Sequence, residues 1–186
     1  MQELCRKGQL DGTYGTTETN QLVEALHHIH IEGASVLVIG SEQPWVEACA
    51  LSLGASEVTT LEYGGIQSTH PRVNTLTPQQ VHLSARTYLN RFDAVITYSS
   101  VEHSGLGRYG DALNPWGDRQ AMARAWCVTK PGGRLAVGLP HNNIDTIHYN
   151  AHREYGPVQL PHLLANWKQI WKSEEDTYQK IWVCEK

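Results

Sequence analysis

Apolar positions along the chain follow two alternating rhythms. Leu22, Val23, Leu26 and Ile29 recur at helical spacing, which predicts an amphipathic helix from Thr19 to Ile31, stopped by Gly33. The next run, Ser35–Ile39 (SVLVI), does not alternate and is built of β-formers, as a strand buried on both faces of a parallel sheet requires. The pair then repeats. Trp45–Leu53 reads as a helix, with Pro44 suited to its start and Gly54 to its end, and Val58–Leu61 as a second strand. Arg72–Leu76 is a third strand, Gln79–Arg91 a helix, and Phe92–Thr97 a fourth strand. The helix Asp118–Val128 leads to a fifth strand, Arg134–Leu139. In the tail, Trp167–Trp171 and Tyr178–Cys184 read as two strands around the polar turn KSEED. Strands alternating with helices predict an α/β architecture, its parallel sheet covered on both sides.

In an open α/β sheet, ligands bind beyond the carboxyl ends of the strands, where strand order reverses, so the loops after the strands carry the functional reading. Gly40 follows the first strand and would let a ligand approach the backbone, but the next glycine is Gly54, so the usual glycine repeat is missing. Glu62 ends the second strand, twenty-two residues after Gly40, about where dinucleotide folds place the carboxylate that accepts from ribose hydroxyls. After the fourth strand come Ser99, Ser100, Val101, Glu102 and His103. His103 is the candidate general base, with His152 and Tyr109 behind it, and Glu102 could orient a neighbour.

The glycine-rich loop from Ser104 to Gly117 offers Arg108, Tyr109 and Asp111. After the fifth strand, Asn150, His152, Arg153 and Tyr155 are expected to contact an acceptor substrate, with Arg153 suited to a carboxylate or phosphate. His148 and His152 would share a face if helical and, with His141 or Glu154, could hold a metal. That spacing matches no metal motif, and no metal is expected. His27, His28 and His30 are assigned to the exposed side of the first helix.

The strand–helix order, Glu62, SSVEH and the KPGG turn resemble class I methyltransferases that use S-adenosylmethionine, over about residues 33 to 140. The segments VIGSEQPWVEA, SSVEHSGLGRYGD, NPWGD, KPGGRLAVGLP and NAHREYGP resemble, over nearly the whole chain, an uncharacterised methyltransferase-like family known as a domain of unknown function. The resemblance implies a Rossmann-like fold, a mostly parallel seven-stranded sheet with helices on both faces, and a closing C-terminal hairpin. It implies S-adenosylmethionine as cofactor, held by Gly40 and Glu62 with their neighbours Ser41, Glu42 and Tyr63, and by Ser99 and Ser100. Arg108, Asp111, Asn150, Arg153 and Tyr155 would then face a small-molecule or glycan-type acceptor. One domain is expected, with an arm over 1–18, a core over 19–140 and a substrate-side segment over 141–186.

Composition narrows the partners. With 40% hydrophobic and 18% charged residues, the chain reads as globular. A net charge of -4 gives no electrostatic case for nucleic acid or an anionic membrane. The first residues lack a signal-peptide core, no apolar run approaches a membrane span, and the four scattered cysteines are expected to be reduced, so a cytoplasmic location is expected. Oligomeric state is not legible. Two other readings compete with methyl transfer. One is a binding module of the same fold with a closed cofactor site, motivated by the altered loop after Gly40. The other is a different enzyme using the same cleft, motivated by the histidines after Pro140.

Overall fold

The apolar runs form the centre of one sheet. The computed structural model describes residues 14–174 and 177–186. Strands β1 (Ser35–Ile39), β2 (Glu57–Leu61), β3 (Val73–Leu76), β4 (Phe92–Tyr98) and β5 (Thr129–Pro140) run parallel in the order β3-β2-β1-β4-β5. Two short strands, β6 (Thr146–Ile147) and β7 (Arg153–Glu154), form a separate hairpin. The last two, β8 (Lys168–Lys172) and β9 (Gln179–Glu185), complete the seven-stranded sheet, with β9 antiparallel between β5 and β8. Val36, Val38, Ala94, Val95, Ile96, Leu135, Ala136 and Val137 are all fully buried, the reason these strands need apolar residues on both faces.

Helix α1 (Thr16–His27) begins and ends earlier than its periodicity predicts, and packs Leu22, Ala25 and Leu26 into the core while His27, His28 and His30 stay exposed. Its start takes residues 16–18 out of the expected arm, whose residues 1–13 lie outside the described ones. Every residue of α2 (Trp45–Ser52) is buried. Cys49 within it is disulfide-bonded, a departure from the expected reduced state that its scattered spacing gave no sign of, while Cys127 and Cys184 are free.

The predicted helix Gln79–Arg91 is two short pieces, α3 (Pro78–Leu83) and α4 (Ala85–Tyr88). Thr77 and Gln80 close a capping box at its start, but no residue of either piece is buried, so no apolar face carries the helix across Ser84. Helix α5 (Gly117–Val128) lies as predicted. β5 begins five residues before its apolar run, because Thr129 pairs with Phe92 ahead of an irregularity at the Pro-Gly-Gly. Gly133 is needed there, since a Cβ would come within 2.9 Å of the Asp93 carbonyl oxygen. The hairpin β6–β7 and helix α6 (Gln159–Leu163) have no counterpart in the sequence reading. No helix among the described residues is long and apolar enough to cross a membrane.

Candidate functional site at the strand ends

The chain leaves β1 toward β2 and β4 toward β5, so strand order reverses between β1 and β4 and their carboxyl ends flank the crevice where this architecture binds ligands. Gly40, at φ 73, turns the chain out of β1, and a Cβ there would run into the Ser100 side chain. The glycine thus serves a tight turn against the loop after β4. Ser41 and Tyr63 donate their backbone N–H groups to Glu62, to Oε2 at 2.8 Å and Oε1 at 2.7 Å. Each oxygen of this half-buried carboxylate keeps another lone pair.

Beneath the turn, the Ser41 and Thr60 hydroxyls donate to Glu47 at 2.8 and 2.7 Å. Glu47 is 2% exposed, and burial raises its carboxyl above the usual range. Sequence reasoning missed it, although a lone acid in the apolar helix WVEACALS was a signal. In a glycine-repeat loop the second glycine admits the ligand and the third lets the helix approach the sheet. Glu42, exposed, and Trp45, buried, stand at those spacings. Trp45 packs edge-on against Tyr98 at 5.2 Å, and Tyr14 leans on both rings. The β2–β3 crossover carries no helix, which leaves a groove of about 850 Å³ between α2 and the sheet, lined by Ser41, Glu42, Glu47, Thr60, His70 and Thr75.

After β4, Ser99 adopts φ 48 and its hydroxyl accepts from Gln179 Nε2 at 3.1 Å, which ties the site to β9. A 3-10 turn over Val101–His103 then buries Glu102 completely. Neither carboxyl oxygen of Glu102 completes a hydrogen bond, although Ser99 and Gln179 lie close, and burial pushes its pKa up to about 7. His103 Nδ1 lies 2.5 Å from the Ala151 carbonyl oxygen. A carbonyl only accepts, so Nδ1 carries the proton of the neutral ring and Nε2 is the basic nitrogen, 3.8 Å from Glu102 Oε1. Burial lowers the pKa of His103, and the charges of Arg108 and His152 add to this. Tyr109 and His152 both meet the His103 ring edge-on, at 5.5 and 6.0 Å.

Two of the expected acceptor contacts are structural instead. Arg153 is 6% exposed. It donates to the Glu102 and Ser104 carbonyl oxygens at 3.2 and 2.7 Å, and its Nε lies 3.6 Å from Asp118 Oδ2. Tyr155, 1% exposed, donates to Asp118 at 3.0 Å. Their side chains face the core because His152 and Glu154 take the other side of the same segment. Asp111 accepts from Gly105 N–H at 2.6 Å and so holds its own loop. Arg108 and Asn150 are exposed and accessible, and Asn150, at φ 48, sits in a hairpin turn and not in the helix that would align His148 with His152. Gln179 and Tyr178, which meet Ser99 and His152, were missed because only the antiparallel pairing of β9 with β5 brings the start of β9 to the loop after β4.

The architecture is that of class I methyltransferases. The chain is similar to 1,6-didemethyltoxoflavin-N1-methyltransferase of Burkholderia thailandensis, solved with 1,6-didemethyltoxoflavin and S-adenosylhomocysteine, at TM-score 0.67 and 16% identity over 99% of this chain and 84% of that one. It is similar to an S-adenosylmethionine-dependent methyltransferase of Mesorhizobium loti at TM-score 0.65 and 10% identity, over 94% and 100% of the two chains. It is equally similar to the cyclase SpnF, at TM-score 0.68 and 13% identity over 96% and 84%. These likenesses establish the fold. No curated protein matches by sequence. Residues 33–184 match the family described as "Caenorhabditis protein of unknown function, DUF268", and the chain belongs to that family.

Proposed function

We propose that the protein is an S-adenosylmethionine-dependent methyltransferase acting on a small-molecule or glycan-type acceptor. The observation that carries this reading is Glu62, half-buried at the end of β2 beside the Gly40 turn, with a free lone pair on each oxygen for a pair of vicinal hydroxyls. The ribose end of the cofactor fits there, flanked by Tyr63, and the Ser41–Glu42 and Ser99–Ser100 loops border the rest of the crevice. The cofactor would supply a methyl group already activated on sulfonium. What remains for the chain is to align the acceptor and take its proton. His103 suits the second task, with a neutral ring held by Ala151, a free Nε2, and Glu102 placed to stabilise the imidazolium that forms. Arg108, Tyr109 and Asn150 border the acceptor side.

Glu42 and Trp45, where a glycine repeat would admit the cofactor, favour a second reading: the fold kept with another use of the cleft. SpnF, named as a cyclase, illustrates that this fold carries other activities. Calorimetry with S-adenosylmethionine and S-adenosylhomocysteine tests the choice. Binding of both is expected, weakened by Glu62→Ala by about 1–3 kcal/mol through loss of a charged acceptor. No heat with either ligand would leave the second reading standing.

A further inference from the structure

We propose that His148, His152 and Glu154 form a binding site for a divalent transition metal ion, Zn²⁺ foremost. The backbone dictates their convergence. In the hairpin, Thr146 pairs with Glu154 and Ile147 with Arg153, and the turn closes with the His148 N–H donating to the His152 carbonyl at 2.9 Å. Side chains alternate faces along a strand, so His152 and Glu154 share one face, and His148, opposite His152, joins them there. The two rings lie 4.6 Å apart. Glu154 Oε1 is 3.0 Å from His148 Nε2 and 4.0 Å from His152 Nε2, and all three donor atoms fall within 4.8 Å of one another. Around a tetrahedral ion with bonds of about 2.0–2.2 Å, donor atoms sit roughly 3.3–3.5 Å apart, so the widest pair closes by at most about 1.5 Å as the side chains at the turn adjust.

The surroundings fit the same assignment. Asn142 Nδ2 donates to Glu154 Oε2 at 3.0 Å, which leaves Oε1 turned to the imidazoles, the kind of support that orients ligating carboxylates. Tyr178 lies 2.7 Å from His152 Nε2 and donates to Glu154 Oε1 at 2.9 Å. An ion would displace the Tyr178 hydroxyl from both side chains, and a fourth position is left for another ligand. Two imidazoles and one carboxylate select a borderline ion over Mg²⁺ or Ca²⁺. The absence of a metal motif in the sequence is no contradiction, because the four-residue separation of His148 and His152 across a strand turn is set by this hairpin alone.

His103 neighbours these ligands, its ring centroid 6.0 Å from that of His152. If the chain is a methyltransferase as proposed above, the ion would bind an oxygen of the acceptor, a hydroxyl or carboxylate, beside the candidate base. Metal binding itself does not depend on that reading.

The test uses the full chain, freed of any histidine tag and stripped with a chelator, titrated with Zn²⁺ against a chromophoric chelator without S-adenosylmethionine. One equivalent should bind at micromolar affinity or tighter, and Co²⁺ should give the visible bands of a low-symmetry site. His148→Ala and Glu154→Gln should each weaken Zn²⁺ at least tenfold, with circular dichroism unchanged. The exposed His27, His28 and His30 are the internal competitor, and His27→Ala/His30→Ala should leave binding intact. Absence of stoichiometric binding, or its loss in the His27→Ala/His30→Ala variant and not in His148→Ala, would overturn the proposal. Because no cofactor is present, a failure here is distinct from a failure of the cofactor calorimetry.

Discussion

Arg153→Met separates a structural arginine from a substrate-binding one. The guanidinium is buried, donates to carbonyl oxygens at both ends of the 102–104 turn, and sits beside the Asp118 carboxylate, which is itself 5% exposed. Methionine conserves most of the volume, so the loss is chiefly electrostatic. It removes the donor from three carbonyl oxygens, those of Glu102, Ser104 and Pro115, and leaves Asp118 with the Tyr155 hydroxyl and the Arg119 N–H. Removing one partner of a buried pair costs about 3–5 kcal/mol, because the other charge stays buried and uncompensated. At about 2–4 °C per kcal/mol for a chain of this size, the melting temperature should fall by roughly 6–20 °C. Urea unfolding monitored by tryptophan fluorescence gives the free energy directly. The double variant with Asp118→Asn should recover part of the loss, since the charge left behind is then removed. An Arg153→Met protein melting within about 1 °C of the parent would refute the reasoning and return Arg153 to the surface of the cleft.

Other substitutions probe the strand ends. Glu102 has a folded pKa of about 7 against an ordinary 4.5, so the folded state binds the extra proton between those values, and stability present below about 4.5 should decline as pH rises toward 7. Glu102→Gln should flatten that decline, a difference on the order of 3 kcal/mol at pH 8, and a parent whose stability rises over that window would contradict the assignment. Gly40→Ala should destabilise by about 2–5 kcal/mol, from a left-handed backbone plus the collision with Ser100, and adding Ser100→Gly should relieve only the second part. In a methyl-transfer assay, His103→Ala should lower turnover by roughly 10²–10⁴-fold with little change in cofactor affinity, and an equal fall in melting temperature and activity would mark His103 as a loop anchor instead.

The sequence by itself determined the sheet. Runs such as Val36–Ile39 (VLVI) have no polar position to offer solvent, which suits strands covered on both faces, and the alternating helices leave a parallel arrangement as the way to cover them. It also placed Gly40, Glu62 and His103 at the strand ends, because position in an α/β repeat fixes which loops share an edge. Tertiary structure decided which way side chains point where no long period constrains them. Arg153 and Glu154 form a two-residue strand, and a strand that short has no pattern strong enough to declare its buried face, so Arg153 reads from sequence as a ligand contact and proves to be an anchor. The break at Ser84 follows from a missing apolar partner for α3 and α4, which local propensity does not register. Tyr178 and Gln179 reach His152 and Ser99 only because β9 inserts antiparallel beside β5, a pairing across many residues of chain that closes the sheet and completes the site.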